Sequence, residues 1–386
     1  MRTVTVIGCL GGAPPDVGHA TLVAGAERYL SLVDGPAERL VLGDVPAAVA
    51  RIAAHDGPVV VLASGDPGFF GIVRALRRAG VDVEVRPAPS SVAVAFARLG
   101  LPWDDAIVVS AHGRALRPAV HACRAYPKVA VLTGPGAGPA ELGAALRDVP
   151  RRLVVVERLG GPDERLTETT PAGATQRAWA HPNVVLVLGD RPPGDTRWIA
   201  GAPPGPDGWA LPDEDFDHRM ITRAEVRALV LARLGPRLGD LVWDVGAGSG
   251  SVAVECARFG AAVVAVERDS GAAATIRSNA ARHGVELAVV EESAPGCLGG
   301  LPEPDAVFVG GGGLGVLDAC AARRPARLVA AYAAVERVGP ALAILADAGY
   351  ATDGVQLQAN RLVPLPDGSH RLAAINPVYV VSGVRR

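Results

Sequence analysis

The chain has 386 residues, 49% of them apolar and 20% charged, with a formal net charge of −2. That length exceeds one usual hydrophobic core and predicts two domains, and the near-neutral balance without a long basic run argues against a nucleic-acid partner. The five cysteines are scattered and odd in number with no C-x-x-C, and the eight histidines show no ligand spacing, so buried thiols of a reducing compartment are expected and no metal site is.

Met1-Arg2-Thr3 leads straight into a strand over residues 4–7 without a signal-peptide pattern. No uninterrupted apolar run reaches the length of a bilayer span, so a cytoplasmic chain with no membrane partner is expected. The loop Gly8-Cys9-Leu10-Gly11-Gly12 follows, then an edge strand over 29–33 and a helix over 45–55. The run 58–63 predicts a fully buried strand, and Ser64-Gly65-Asp66-Pro67-Gly68 is strong turn chemistry at its carboxyl end, where open α/β sheets bind ligands. Asp66 has a second reading as the cap of a helix beginning near Phe69. Strands and helices continue to alternate: strand 81–85, helix 91–99, strand 107–110 ending in Ala111-His112-Gly113-Arg114, strand 129–132 ending at Thr133, helix 139–147, then strands 153–157 and 184–188. His112 is a candidate proton-transfer group or a structural histidine, and the planar fork of Arg114 suits substrate carboxylates.

This series resembles the tetrapyrrole methylases, or class III methyltransferases, over roughly residues 3–190. Within that family it is similar to the cobalamin-pathway members that methylate C5 of a precorrin or cobalt-precorrin. The resemblance is carried by Ser64-Gly65-Asp66-Pro67-Gly68-Phe69-Phe70-Gly71, Pro89-Ser90-Ser91, Leu99-Gly100-Leu101-Pro102-Trp103, Ser110-Ala111-His112-Gly113-Arg114 and Asn183-Val184-Val185. It implies an S-adenosylmethionine site at Gly8, Gly65, Asp66, Ser91 and Thr133, substrate contacts from His112 and Arg114, and His112 and Asp66 as catalytic candidates. The first loop departs from the family's G-x-G-P-G form, reading Gly8-Cys9-Leu10-Gly11-Gly12-Ala13-Pro14-Pro15.

Residues 191–212 are rich in Pro and Gly, as in Pro203-Pro204-Gly205-Pro206, and predict a linker. The acidic run 213–218 reads as solvated surface. Thr222 is the expected N-cap of a helix running to Leu234, with Glu225 as its capping-box partner. Next comes Leu241-Val242-Trp243-Asp244-Val245-Gly246-Ala247-Gly248-Ser249-Gly250, a buried strand entering a glycine loop that opens a helix over 251–259. The strand 262–266 ends in Glu267, about 20 residues after the first glycine, where an acid meets ribose hydroxyls. A dinucleotide fingerprint would place its third glycine at Ser251. The tighter G-x-G-x-G instead resembles the S-adenosylmethionine loop of class I methyltransferases, with a plain βα turn as the alternative. Helix 271–283, strand 285–290 ending before Ala294-Pro295, strand 305–309 ending in Gly310-Gly311-Gly312-Gly313, helix 314–323, strand 327–331 and helix 335–348 follow. Strands 354–358 and 374–381 would supply an antiparallel edge pair.

Residues 213–386 resemble the C15-methylating, decarboxylating enzymes of the same corrin pathway. The resemblance rests on His218-Arg219-Met220-Ile221-Thr222, the Asp244–Ser251 loop, Asp305-Ala306-Val307-Phe308-Val309-Gly310-Gly311 and Ile375-Asn376-Pro377. It implies donor contacts from Gly246, Gly248, Gly250, Glu267 and Ala294 and a substrate contact at Gly311. Ala331 and Ala334 stand where that family carries Asn and Thr, and Glu292-Ser293 where Gly-Asp is common.

The expected architecture is α/β throughout, a class III methylase fold over 1–190 (C5 methylation), a linker over 191–212, and a Rossmann-like class I fold over 213–386 (C15 methylation and decarboxylation). Two S-adenosylmethionine sites per chain, a precorrin substrate and a homo-oligomer are expected. Alternatives are a tandem methyltransferase acting on another small molecule or on RNA, and an amino half serving as a non-catalytic binding or assembly module.

Overall fold

The computed structural model describes residues 3–12, 15–190, 200–201, 205–217 and 220–385. Ala13 and Pro14 of the first loop, linker residues 191–199 and 202–204, and His218-Arg219 lie outside the described residues. The chain forms two units, Met1–Leu116 with Pro127–Pro203, and Arg117–Tyr126 with Pro204–Arg386.

The first unit holds two sheets. One contains β1 (Thr3–Cys9), β2 (Leu22–Gly25), β3 (Glu38–Val41), β4 (Val59–Ser64) and β5 (Asp82–Arg86) in the order β3-β2-β4-β1-β5, every pair parallel. Val59 to Leu62 and all of β2 are buried, as expected where helices cover both faces of a parallel sheet. The expected edge strand at 29–33 is not a strand. Tyr29 and Leu30 lie in the short helix Glu27–Leu30 and pack inward, and the strand is β2, whose four residues Leu-Val-Ala-Gly were too few to show a period.

The second sheet contains β6 (Ile107–Ser110), β7 (Lys128–Leu132), β8 (Arg152–Glu157), β9 (Arg165–Thr169) and β10 (Asn183–Leu188) in the order β6-β7-β10-β8-β9, with only β6–β7 parallel. All six residues of β10 are buried, which fits its central place. β9 was not foreseen, because its polar sequence Arg-Leu-Thr-Glu-Thr is that of a solvated edge.

The second unit is built on β11 (Leu241–Val245), β12 (Ala262–Val266), β13 (Ala288–Val290), β14 (Ala306–Val309), β15 (Arg327–Tyr332), β16 (Tyr350–Leu357) and, after a hairpin, β19 (Val378–Arg385). Their order is β13-β12-β11-β14-β15-β19-β16, parallel except that β19 runs against both β15 and β16. The edge pair is therefore present but longer than expected, and the hairpin β17 (Arg361–Pro364) and β18 (His370–Ala373) intervenes. Two apolar cores form around this sheet, one including Trp243, Val245 and Leu317 and the other Val242, Leu234 and Phe308. The helix Arg117–Ala125 groups with this unit, where Arg117 donates to the Asp305 carboxylate and, at 2.8 Å, to the Glu303 carbonyl.

Two local expectations need correction. Helix Ala224–Leu234 starts one residue after Arg223, and its first N–H is taken by Asp213 Oδ1 at 3.0 Å, so Thr222 is not the cap. Asp213 itself is buried, not solvated, because it also pairs with Arg223 and Arg227. The cysteines are free thiols, four buried and Cys297 only half-buried. Among the described residues no helix is long and apolar enough to cross a membrane.

Candidate active sites

In the second unit the chain leaves β11 toward β12 and β13, then returns on the other side as β14. This reversal opens a crevice at the carboxyl ends of β11 and β14, where open α/β sheets hold ligands. The three expected glycines do different work there. Gly246 (φ +72°) brings the backbone so close to the β14 end that a Cβ would fall 2.6 Å from Gly311 N, so Gly246 and Gly311 do meet. Gly250 (φ +73°) seats the following helix Ser251–Arg258 on Ile276, where a Cβ would come within 2.8 Å. Gly248 (φ +57°) is the open one, for the nearest atom to its missing Cβ is Met220 O at 3.6 Å.

Glu267 follows β12 and reaches back beneath this loop. Its Oε2 accepts the Gly248 N–H at 2.9 Å and its Oε1 the Asp269 N–H at 3.0 Å. Two backbone donors orient the carboxylate and leave lone pairs for further donors. Ala294 lies beyond β13 on the same carboxyl edge, before a cis bond to Pro295.

Sequence reasoning missed two supports of this loop. Asp244, inside β11, is buried, with Oδ2 accepting the Ala253 N–H at 2.9 Å and Oδ1 without a protein partner. Burial pushes its carboxyl up to about 7, the Ala253 bond opposing and the Glu267 charge adding. Asn279, fully buried on helix Ser270–Arg282, accepts the Asp217 N–H and donates to the Asp217 and Ser249 carbonyls, each at 2.9 Å. It ties the stretch ahead of helix Ala224–Leu234 to the glycine loop. An asparagine three residues after Ile276, on the same helix face, was the available signal.

That same stretch is anchored by a buried ion pair. Arg227 and Glu255, both fully buried, bond at 2.9 Å. Glu255 also accepts the N–H groups of Ala210 and Leu211 at 3.0 and 2.8 Å, and Arg227 donates to the carbonyls of Thr222, at 2.5 Å, and Leu211.

In the first unit the ends of β1 and β4 meet across glycines. A Cβ on Gly8 would fall 2.4 Å from both Ala88 N and Gly65 O. Gly65 (φ +63°) donates to the Cys9 carbonyl at 2.8 Å, and its own missing Cβ lies 3.1 Å from Ser91 N. Gly8, Gly65 and Ser91 are thus one crevice wall. Asp66 does not cap a helix. Its Oδ1 accepts the Gly68 N–H at 2.8 Å within the loop, and the next helix begins at Val73.

Thr133 is buried, its hydroxyl 2.6 Å from both the carbonyl and the side-chain oxygen of Asn183. Its effect on the site therefore runs through its backbone, whose carbonyl lies 3.1 Å from His112 Nδ1. His112 is exposed, and the Arg114 guanidinium carbon stands 5.7 Å from the Phe70 ring centroid. The Ser64–Gly71 loop and the His112–Arg114 turn, far apart in sequence, therefore converge.

Both crevices have walls that a Cβ would fill. The second also offers an oriented carboxylate and two buried oxygens without protein partners, Asp244 Oδ1 and Ser249 Oγ. These features fit an adenosyl ligand carrying a ribose diol. Among the described residues no group of three or more potential ligands could hold a metal ion.

Comparison with known proteins shows the family. Residues 214–378 match the model of the precorrin methyltransferase domain, and residues 18–174 that of the tetrapyrrole (corrin/porphyrin) methylases. A precorrin-6Y C(5,15)-methyltransferase [decarboxylating] from Sinorhizobium sp is 41% identical over 335 residues, 81% of this chain and 78% of that protein. One of the same name from Mycobacterium tuberculosis is 36% identical over 344 residues, 82% of each. Among solved structures, the C-terminal domain of precorrin-6Y C5,15-methyltransferase from Rhodobacter capsulatus is 32% identical, with a TM-score of 0.41, over 46% of this chain and 97% of that one. With identity of this level running across both units, the chain belongs to the family of decarboxylating precorrin-6Y C5,15-methyltransferases.

Proposed function

We propose that the two crevices divide the family's reaction. The second unit methylates C15 of a precorrin and removes CO₂ from its C12 acetate, and the first unit methylates C5. The chain is a decarboxylating, S-adenosylmethionine-dependent methyltransferase of cobalamin biosynthesis. The observation that supports two sites is that each unit carries its own glycine-walled crevice at the carboxyl ends of parallel strands. We assign C5 methylation to residues 1–190 and the C15 and decarboxylation steps to 213–386.

S-Adenosylmethionine supplies an electrophilic methyl group, and the protein's task is to align it with a nucleophilic ring carbon. In the second unit Gly248 leaves the space the donor enters, Glu267 accepts the ribose hydroxyls, and Asn279 holds the loop against the Asp217 stretch. The substrate contact is assigned to Gly311, at the neighbouring strand end beside Gly246. In the first unit Gly8, Gly65 and Ser91 would line the donor, with Asp66 fixing the Ser64–Gly71 loop. Arg114 takes a carboxylate arm of the macrocycle, and His112, held by the Thr133 carbonyl, is the proton-transfer candidate.

Mass spectrometry of the product from a reduced precorrin substrate and a labelled methyl donor tests this. The full chain should add two labelled methyl groups and lose CO₂. Asp66→Ala should give a singly methylated, decarboxylated product from a protein that melts normally. A parent chain that adds only one methyl group contradicts the two-site reading.

A further inference from the structure

Phe70 occupies a position that ordinary loop chemistry gives to glycine. Its φ is +55°, a conformation costly for any residue with a Cβ. Gly68 and Gly71 stand close by in the same loop, and a Cβ on Gly71 would fall 2.2 Å from the Pro67 carbonyl oxygen, so the turn is tight. Burial does not explain the aromatic, since Phe70 is 37% exposed, whereas its neighbour Phe69 packs against the core that contains Phe96 and Leu186. The two rings meet edge-on, centroids 4.9 Å apart at 74°, and the Arg114 guanidinium carbon lies 5.7 Å from the Phe70 centroid. An exposed ring is thus held in a strained backbone, backed by a packed ring and flanked by a guanidinium that makes no ion pair among the described residues. Strain kept at an exposed position points to function.

We infer that Phe70 contacts the substrate in C5 methylation, its ring forming the platform on which a conjugated segment of the reduced tetrapyrrole rests while Arg114 takes a carboxylate arm beside it. A macrocycle of this kind presents an apolar π face and anionic arms around its rim, and the ring and guanidinium offer both chemistries together. The inference rests on the reading that the first unit performs C5 methylation.

The test uses the full chain with Phe70→Gly, Phe70→Leu and Phe70→Tyr. Phe70→Gly relieves the backbone, so its melting temperature should not fall, which separates substrate contact from folding. With the macrocyclic precorrin as probe, Phe70→Gly and Phe70→Leu should each raise KM for C5 methylation about tenfold, the size of one lost aromatic contact. Donor affinity and C15 methylation should be unchanged, and Phe70→Tyr should restore the parent KM. Unchanged KM in folded Phe70→Gly and Phe70→Leu overturns the role of Phe70 alone. A parent chain that never methylates C5 overturns the underlying reading as well, and is recognised because it appears without any substitution.

Discussion

The crevice of the second unit is assembled largely by one continuous βαβα stretch, from Asp244 to Asn279, with carboxyl and amide side chains under the loop and a buried ion pair behind it. The crevice of the first unit draws on segments as far apart as Gly8, Gly65, Ser91 and Thr133, and its walls are mostly backbone. A local site can use side-chain charge, because a short stretch sets the distance between Gly248 and Glu267. A site gathered from distant loops is held where backbone meets backbone, and so depends on glycines that permit close approach. The two should therefore fail differently when substituted.

The largest difference is expected at Gly248. Gly248→Val places a branched side chain in the open space over the loop, at a positive φ, and should lower C15 methylation by about a hundredfold or more while C5 methylation persists. Single-turnover assays that score each methylation separately check this, and equal loss of both in a folded protein would erase the comparison.

Arg227→Met tests the buried support. It leaves buried Glu255 with only the more distant Arg258, 3.5 Å away, as a cationic partner and should cost about 3–5 kcal/mol of second-unit stability, read by urea unfolding. A loss below about 1 kcal/mol would mean that the ion pair is replaceable by packing.

Glu267→Ala removes the acceptor beneath Gly248 and should weaken donor binding in the second unit about tenfold, with first-unit binding unaffected. Titration calorimetry distinguishes this from a general loss.

A last difference concerns pH. Asp244 is held at about 7 against an ordinary 3.8, so the folded chain retains a proton that the unfolded chain has released. The stability it contributes is full below about pH 4 and is lost as pH rises through about 7. Asp244→Asn should flatten that slope, seen in unfolding midpoints measured across the range. An unchanged slope would place the titration elsewhere.

What was legible in the sequence follows from this contrast. The glycine loop and Glu267 could be placed because strand, loop, helix and acid lie within one short stretch, and β11 and β12 are uninterrupted apolar runs. Asn279 and Asp217 could not, because their link is made through tertiary packing 62 residues apart. Asp213 looked like part of a solvated acidic run, and only the approach of Arg227 makes it a buried anchor. In the first unit the Ser64–Gly71 and His112–Arg114 motifs were visible separately. Their meeting through Phe70 was not, since it depends on how two sheets fold together within that unit.

Counting bound S-adenosylmethionine per chain by calorimetry decides whether one chain holds two donor sites. Two should bind to the parent and one to Gly248→Val, the remaining site still supporting C5 methylation. One bound donor in the parent, or none in Gly248→Val, would contradict the two-site reading.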